Sequence, residues 1–224
     1  MLYFSENNLF VAIIGDIRNS REIENRKLVQ DKLKIVLEDI NKIYKDNIVS
    51  KFVITLGDEF QGVLVDCKKI LNIIEKIKME LSPVELRFGI GIGKITTDID
   101  TEMALGADGP GYYNARNAID KLKENEKKNR TVLSDIYLVT ENDDNQVILI
   151  NTIFELLKTI EMNWTDRQKE IIWNMQKHQD GQTKVANRLG IEQPAVHKAL
   201  VKGRYYVYAK TMKNVEDILG EINL

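Results

Sequence analysis

The sequence is poor in the residues that make cross-links. It has one cysteine, Cys67, and two histidines, His178 and His197. A lone thiol excludes a disulfide framework and a thiolate cluster for zinc or iron–sulfur centres. Neither histidine has a second ligand at the i+4 spacing of a helical zinc site. Cys67 lies between an apolar run and a helical pattern, which marks it as a packing residue. A long apolar run is also missing. The opening one stops at Asp16 and has no basic flank, which excludes a membrane span and a signal peptide and leaves a buried strand. These absences point to a protein of the reducing cytoplasm with no membrane partner.

Strong net charge is a further absence, since 32 basic against 34 acidic side chains give −2. The balance is uneven along the chain. Residues 163–224 carry 10 Lys and Arg against 7 Asp and Glu, leaving 22 against 27 for residues 1–162. Between Gln182 and Lys213 seven basic residues (Lys184, Arg188, Lys198, Lys202, Arg204, Lys210 and Lys213) meet one acid, Glu192. Such a local excess favours a polyanionic partner. With 43% apolar and 29% charged residues the chain can close a core unaided. Its length fits one large and one small domain.

Hydrophobic periodicity sets out the elements. Residues 9–14 form a continuous apolar strand that runs into Gly15-Asp16-Ile17. Residues 27–44 repeat apolar side chains at helical spacing through Leu28, Leu33, Val36, Leu37, Ile40 and Ile43. Residues 51–56 and 60–65 are β-rich runs separated only by Gly57-Asp58-Glu59, which predicts a tight hairpin thrusting two carboxylates outward. Residues 68–81 read as a helix stopped by Ser82-Pro83, and a strand follows over 85–92. The order β-α-β-β-α-β predicts a split βαβ arrangement, an antiparallel sheet with both helices on one face. Further on, the patterns predict a flexible loop at 106–111, a helix over 112–125 and a solvated charged turn over 124–130. Short strands at 131–133 and 137–140, a turn at 142–145, a strand at 147–150 and a helix over 152–161 complete this part. The fold class is therefore α+β, with a ferredoxin-like sheet domain over residues 1–150, a connecting helix over 151–163, and a small all-α domain over 164–224.

The all-α segment has the marks of a helix-turn-helix. Thr165 is a good N-cap for a helix running to His178. In the stretch QTKVANRLGIEQPAVHKAL that begins at Gln182, Ala186 stands where two helices touch, Gly190 suits a left-handed turn, and Val185, Leu189, Ile191, Val196 and Ala199 face inward. Pro194 stiffens the start of the second helix at a position that needs no amide. This segment resembles the helix-turn-helix of bacterial transcription regulators over about twenty residues. Its leading turns offer Gln193, His197 and Lys198 to double-stranded DNA, with Lys202 and Arg204 nearer the phosphates. A partner protein is the alternative ligand for such a module.

Asp16 at a strand end and Asp58 on the hairpin bring two carboxylates to one edge of the sheet, a chemistry suited to Mg2+. The segments AIIGDI, LGDEFQG, LRFGIGIG and YNARNAI follow in the order of the palm-like nucleotidyl cyclase superfamily, which residues 9–140 resemble. The resemblance implies that Asp16, Asp58 and the Ile17 carbonyl hold metal, that Glu59 assists, and that Arg116 contacts a nucleoside triphosphate. Asp16, Asp58 and Arg116 would then be the catalytic set. Two departures turn the expectation away from cyclic AMP synthesis: Ile54 stands where adenylyl cyclases have a lysine, and Tyr112 where they have an asparagine. A changed substrate and lost catalysis both stay open. The whole chain, with GADGPGYYNAR between the sheet domain and the basic tail, looks like the SatD family. The expected function is a DNA-binding transcription regulator whose cyclase-like domain binds a nucleotide with Mg2+. The alternative is an active nucleotidyl cyclase or transferase with an accessory helix-turn-helix. Cyclase domains commonly pair across a two-fold axis and helix-turn-helix readers bind paired half-sites, so a homodimer is expected.

Overall fold

A computed structural model describes residues 9–104, 106, 108–129, 131–141 and 145–222. Along the chain run β1 (Leu9–Ile17), α1 (Arg26–Ile43), β2 (Ile48–Leu56), β3 (Glu59–Leu64), α2 (Ile70–Leu81), β4 (Leu86–Lys94), α3 (Pro110–Asn129) and β5 (Ile136–Val139). There follow α4 (Asn145–Met162), α5 (Asp166–His178), α6 (Gln182–Leu189), α7 (Gln193–Lys202) and α8 (Tyr205–Gly220). The protein is α+β, with a five-stranded mixed sheet in the order β2-β3-β1-β4-β5. The first four strands pair antiparallel, and β5 adds to β4 in parallel. Strand β3 is thus inserted between the two strands that α1 connects.

Alternation along β1 decides what each face of the sheet holds. Val11, Ile13 and Ile17 share a core with α1 and α2, whereas Phe10, Ala12 and Ile14 share one with α3. On β4 the division is sharper, because Phe88, Ile90 and Ile92 alternate with Gly89, Gly91 and Gly93. A Cβ on these glycines would stand 2.3 Å from the Ala115 oxygen, 2.1 Å from the Ala115 nitrogen and 2.7 Å from the Gly111 nitrogen, respectively. The motif LRFGIGIG therefore places large side chains on one face and leaves the other bare for α3.

The C-terminal helices build onto the first core. One hydrophobic cluster runs from Ile13, Phe60 and Phe88 through Ile74 and Phe154 to Trp164, Ile172, Val196, Tyr208 and Leu219. Helix α5 starts on a capping box formed by Thr165 and Gln168. Ahead of it, Trp164 Nε1 donates to the Gly203 carbonyl at 2.6 Å, and the indole meets the Tyr208 ring edge-on at 4.9 Å. Helix α8 then returns to pack against α2 and α4. No helix among the described residues is long and apolar enough to cross a membrane.

Several local expectations give way. Residues 147–150, expected as a strand, lie in the opening turns of α4. Val147, Ile150, Phe154 and Leu157 are buried at helical spacing, so the longer period prevails over the short apolar run. The boundary expected between residues 150 and 151 falls inside that helix. Residues 131–133 form no strand. Helix α3 continues through Asn129, so the charged stretch from 124 is helical and contributes ion pairs. Asp108 is held in the approach to α3, with its oxygen accepting from the Thr96 amide at 2.8 Å and its amide donating to Thr97 Oγ1 at 2.8 Å. Residues 1–8, 130 and the turn positions 142–144 lie outside the described residues.

Candidate functional site

The end of β1 gathers the sheet's acidic residues. Asp16 pairs in register with Glu59 of β3 on one side and with Arg87 of β4 on the other. Strand alternation turns these three toward the face that α3 covers, and α3 supplies Arg116, Lys123 and Glu126 to meet them. The Asp16 carboxylate accepts from Arg87 Nη1 at 2.7 Å and lies 3.2 Å from Lys123 Nζ. Glu59 takes two hydrogen bonds from Arg116, one at 2.7 Å. Arg87 also donates to Glu126 at 2.6–3.1 Å. Hydrogen bonding to Glu59 raises the Arg116 pKa above its ordinary value. Burial opposes the charge on Arg87, but bonds to Glu126 and Asp16 outweigh it and raise that pKa too.

Asp58 occupies the turn between β2 and β3, reached through Gly57 at φ 65°. Its carbonyl accepts from the Ile17 amide at 3.2 Å, which places it beside the end of β1. Its carboxylate accepts from the Ser20 hydroxyl and lies 3.9 Å from Arg26 Nη2. Of the two carboxylates expected to point outward, Glu59 is instead buried, at 9% exposed, beneath Arg116. Asp16, Asp58 and the Ile17 carbonyl supply the hard oxygen atoms that Mg2+ prefers. No group of three or more His, Cys, Asp or Glu side chains is gathered for a metal among the described residues. Both carboxylates are engaged by cations in this arrangement, Asp16 by Arg87 and Lys123 and Asp58 by Arg26, so a metal there would have to displace them.

The ion pairs continue inward from this edge. Arg18, 5% exposed, meets Glu126 at 2.5 Å and Asp135 at 3.1 Å. Asp135 is shared by Lys78 at 3.1 Å and Lys158 at 2.9 Å, and Lys78 reaches Glu161 at 2.7 Å. Burial works against the Asp135 charge, yet Lys78, Lys158 and Arg18 hold its pKa down at about 2. One turn before Lys78, Glu75 accepts from Tyr208 Oη at 3.2 Å and from Gln176 Nε2 at 3.0 Å. Charged contacts therefore run from the carboxylate edge to Lys78 on α2 and Glu161 on α4, and one turn away on α2 Glu75 makes polar contacts to α5 and α8. These partners were invisible to sequence reasoning because they are remote in the chain. The only local signal was the placing of Arg18 two residues after Asp16.

On the tail, the short turn between α6 and α7 contains Gly190 at φ 63°. Val185, Ala186, Val196 and Leu200 are buried, while Gln193, His197, Lys198, Lys202 and Arg204 are all exposed. Gln193 Nε2 donates to Gln182 Oε1 at 2.5 Å, and Gln182 Nε2 donates to Tyr206 Oη at 2.8 Å and lies 3.5 Å from His197 Nδ1. None of the ion pairs found among the described residues involves Lys184, Lys198, Lys202, Arg204 or Lys210, whereas Arg188 and Lys213 are paired with Asp180 and Glu216.

Cys67 is buried, and burial followed by the neighbouring Asp66 charge pushes its thiol up to about 12, so it stays protonated. Tyr112 is buried on the face of the sheet that α3 covers, and its hydroxyl has no hydrogen-bond partner.

These features define an α+β protein with a charged edge on its sheet and a basic helical tail. The chain belongs to the SatD family, whose model matches residues 10–219. A comparison with curated proteins finds no match.

Proposed function

We propose that this SatD family protein is a DNA-binding regulator whose sheet unit carries a nucleotide site. The observation that carries the DNA reading is the exposed basic surface of α6 to α8, where five cations lack an ion-pair partner among the described residues. Polyanion binding releases condensed counter-ions, so unpaired surface cations favour it most. In this reading α6, its turn and α7 act as a helix-turn-helix, and the leading turns of α7 enter the major groove with Gln193, His197 and Lys198. Lys202 and Arg204 take phosphates. The buried Ala186 and left-handed Gly190 support the assignment. Two copies would present paired α7 helices, and the exposed Ile148, Leu149 and Leu156 on α4 offer apolar surface for pairing. Fluorescence anisotropy with duplexes selected from random sequence tests the reading. Saturable, strongly salt-dependent binding is expected, and no binding to any duplex at low salt would overturn it.

The nucleotide reading rests on the sheet end that carries Asp16, the Ile17 carbonyl and the neighbouring Asp58, where α3 presents Lys123 to Asp16 and Arg116 to Glu59. Mg2+, when bound, would neutralise phosphate charge there. The cations now held by Asp16 and Glu59 then bind and orient the phosphates. A nucleoside triphosphate with Mg2+ at a hundred times its Kd should add about 2.7 kcal/mol to stability. Asp16→Asn should remove that gain. Product release from any triphosphate would instead favour catalysis by Asp16, Asp58 and Arg116.

A further inference from the structure

A cleft of about 550 Å³ opens between α2 and the tail helices α5 and α8, away from both the carboxylate edge and the basic surface of α7. Its volume falls in the range of small-molecule sites. Two groups on its wall have unmet demands. Gln176 Oε1 is buried and has no hydrogen-bond partner. Glu75 has only neutral direct partners, the Tyr208 hydroxyl at 3.2 Å and the Gln176 amide at 3.0 Å. No salt bridge found among the described residues reaches Glu75, since the nearby Lys78 pairs with Glu161 at 2.7 Å and Asp135 at 3.1 Å. A half-buried acid that no ion pair reaches, with Lys78 acting on it only across space, and a buried amide oxygen without a donor call for the same thing, a cationic N–H group.

The rest of the lining agrees. The three lysines of the lining are all in ion pairs, Lys76 and Lys177 sharing Glu80 at 3.8 and 2.9 Å and Lys213 meeting Glu216 at 3.0 Å, which counts against an anion site. Tyr44, Met79, Tyr205 and Met212 supply aromatic and thioether surface, which suits a methylene chain and the face of an attached cation. Burial also lifts the Glu75 pKa, the cost that a bound cation would relieve.

We propose that this cleft binds a small organic cation, a primary ammonium or guanidinium on a short aliphatic body, with its charged head at Glu75 and Gln176. The ligand would touch the sheet unit through α2 and the tail through α5 and α8, and the claim is independent of whether the tail binds DNA.

The test is calorimetric titration and thermal shift of the full chain with cadaverine, agmatine and spermidine, using sodium chloride at matched ionic strength and glutarate as controls. Saturable binding of at least one cation is expected. Glu75→Gln should weaken it roughly tenfold or more, the loss of one charge-assisted contact. Ala209→Phe, which fills the cleft from α8 and keeps Glu75 in the chain, should abolish it and decides the matter if Glu75→Gln does not fold. Lys198→Ala on the outer surface of α7 should leave it unchanged. The proposal is overturned if no cation binds beyond the salt control, if binding survives in Ala209→Phe, or if glutarate binds and the cations do not.

Discussion

Asp16 and Glu59 stand directly opposite each other on neighbouring antiparallel strands, and they share no cation: Asp16 is answered by Arg87 and Lys123, Glu59 by Arg116. Like charges so placed repel, and the pairing with α3 and β4 offsets that repulsion. Arg116→Ala leaves Glu59 as a buried acid beside another acid. The expected loss is about 1–3 kcal/mol, the cost of an unsatisfied buried acceptor. Adding Glu59→Gln should restore part of it. Urea denaturation of the two single variants and the double variant measures the coupling, and additive losses would refute the pairing.

The bare strip on β4 sets a steric limit. In Gly91→Ala the new methyl would lie 2.1 Å from the Ala115 nitrogen, which belongs to a helix backbone and cannot turn aside. Overpacking of this kind typically costs about 1–3 kcal/mol. Since α3 carries Arg116 and Lys123, the same change should also reduce any nucleotide-dependent gain in Tm. A wild-type melting curve would contradict the close approach of helix and strand.

Asp135 gives the protein an acid-sensitive contribution. Its folded pKa lies below the ordinary value of 3.8, at about 2, because Lys78, Lys158 and Arg18 override the burial that would raise it. A depressed carboxyl pKa stabilises above the unfolded value, and that contribution is lost as pH falls through the folded one. Stability should therefore decline from about pH 4 toward pH 2, and Asp135→Asn should be less stable at neutral pH with a shallower acid limb. Equilibrium unfolding across that range checks the sign. A variant with the wild-type acid slope would remove Asp135 from the account.

The unpaired cations of the tail make a separable prediction. Lys198→Ala and Lys202→Ala should each lower the salt dependence of duplex binding by about one counter-ion. Both side chains are exposed and unpaired, so stability should change by less than about 0.5 kcal/mol. Equal salt slopes in wild type and both variants would take these lysines out of the interface.

Legibility in the sequence followed the range of the interactions. Strands β1 to β4, helices α1 and α2, and the α6–α7 turn carry their own period or their own glycine, so local pattern suffices. The run from Val147 to Ile150 fits a strand and a helix equally, and only burial at Phe154 and Leu157 tells them apart. For the candidate site, Asp16, Ile17, Asp58, Glu59 and Arg116 could be named because motifs hold them. Their counter-charges could not. Arg18 and Asp135 are 117 positions apart, and nothing in either neighbourhood announces the other. The return of α8 onto α2 and α4 was hidden for the same reason.

The bond from Trp164 to Gly203 joins the start of α5 to the end of α7, and α8 carries that junction back onto the sheet unit. Helix α7 is thus braced rather than tethered, with no slack segment whose length could set its reach. In any assembly of two copies, the spacing and tilt of the paired α7 helices would be inherited from how the sheet units face each other. Under the proposed DNA reading, the half-site separation would then be a property of the sheet-unit contact and not of a linker.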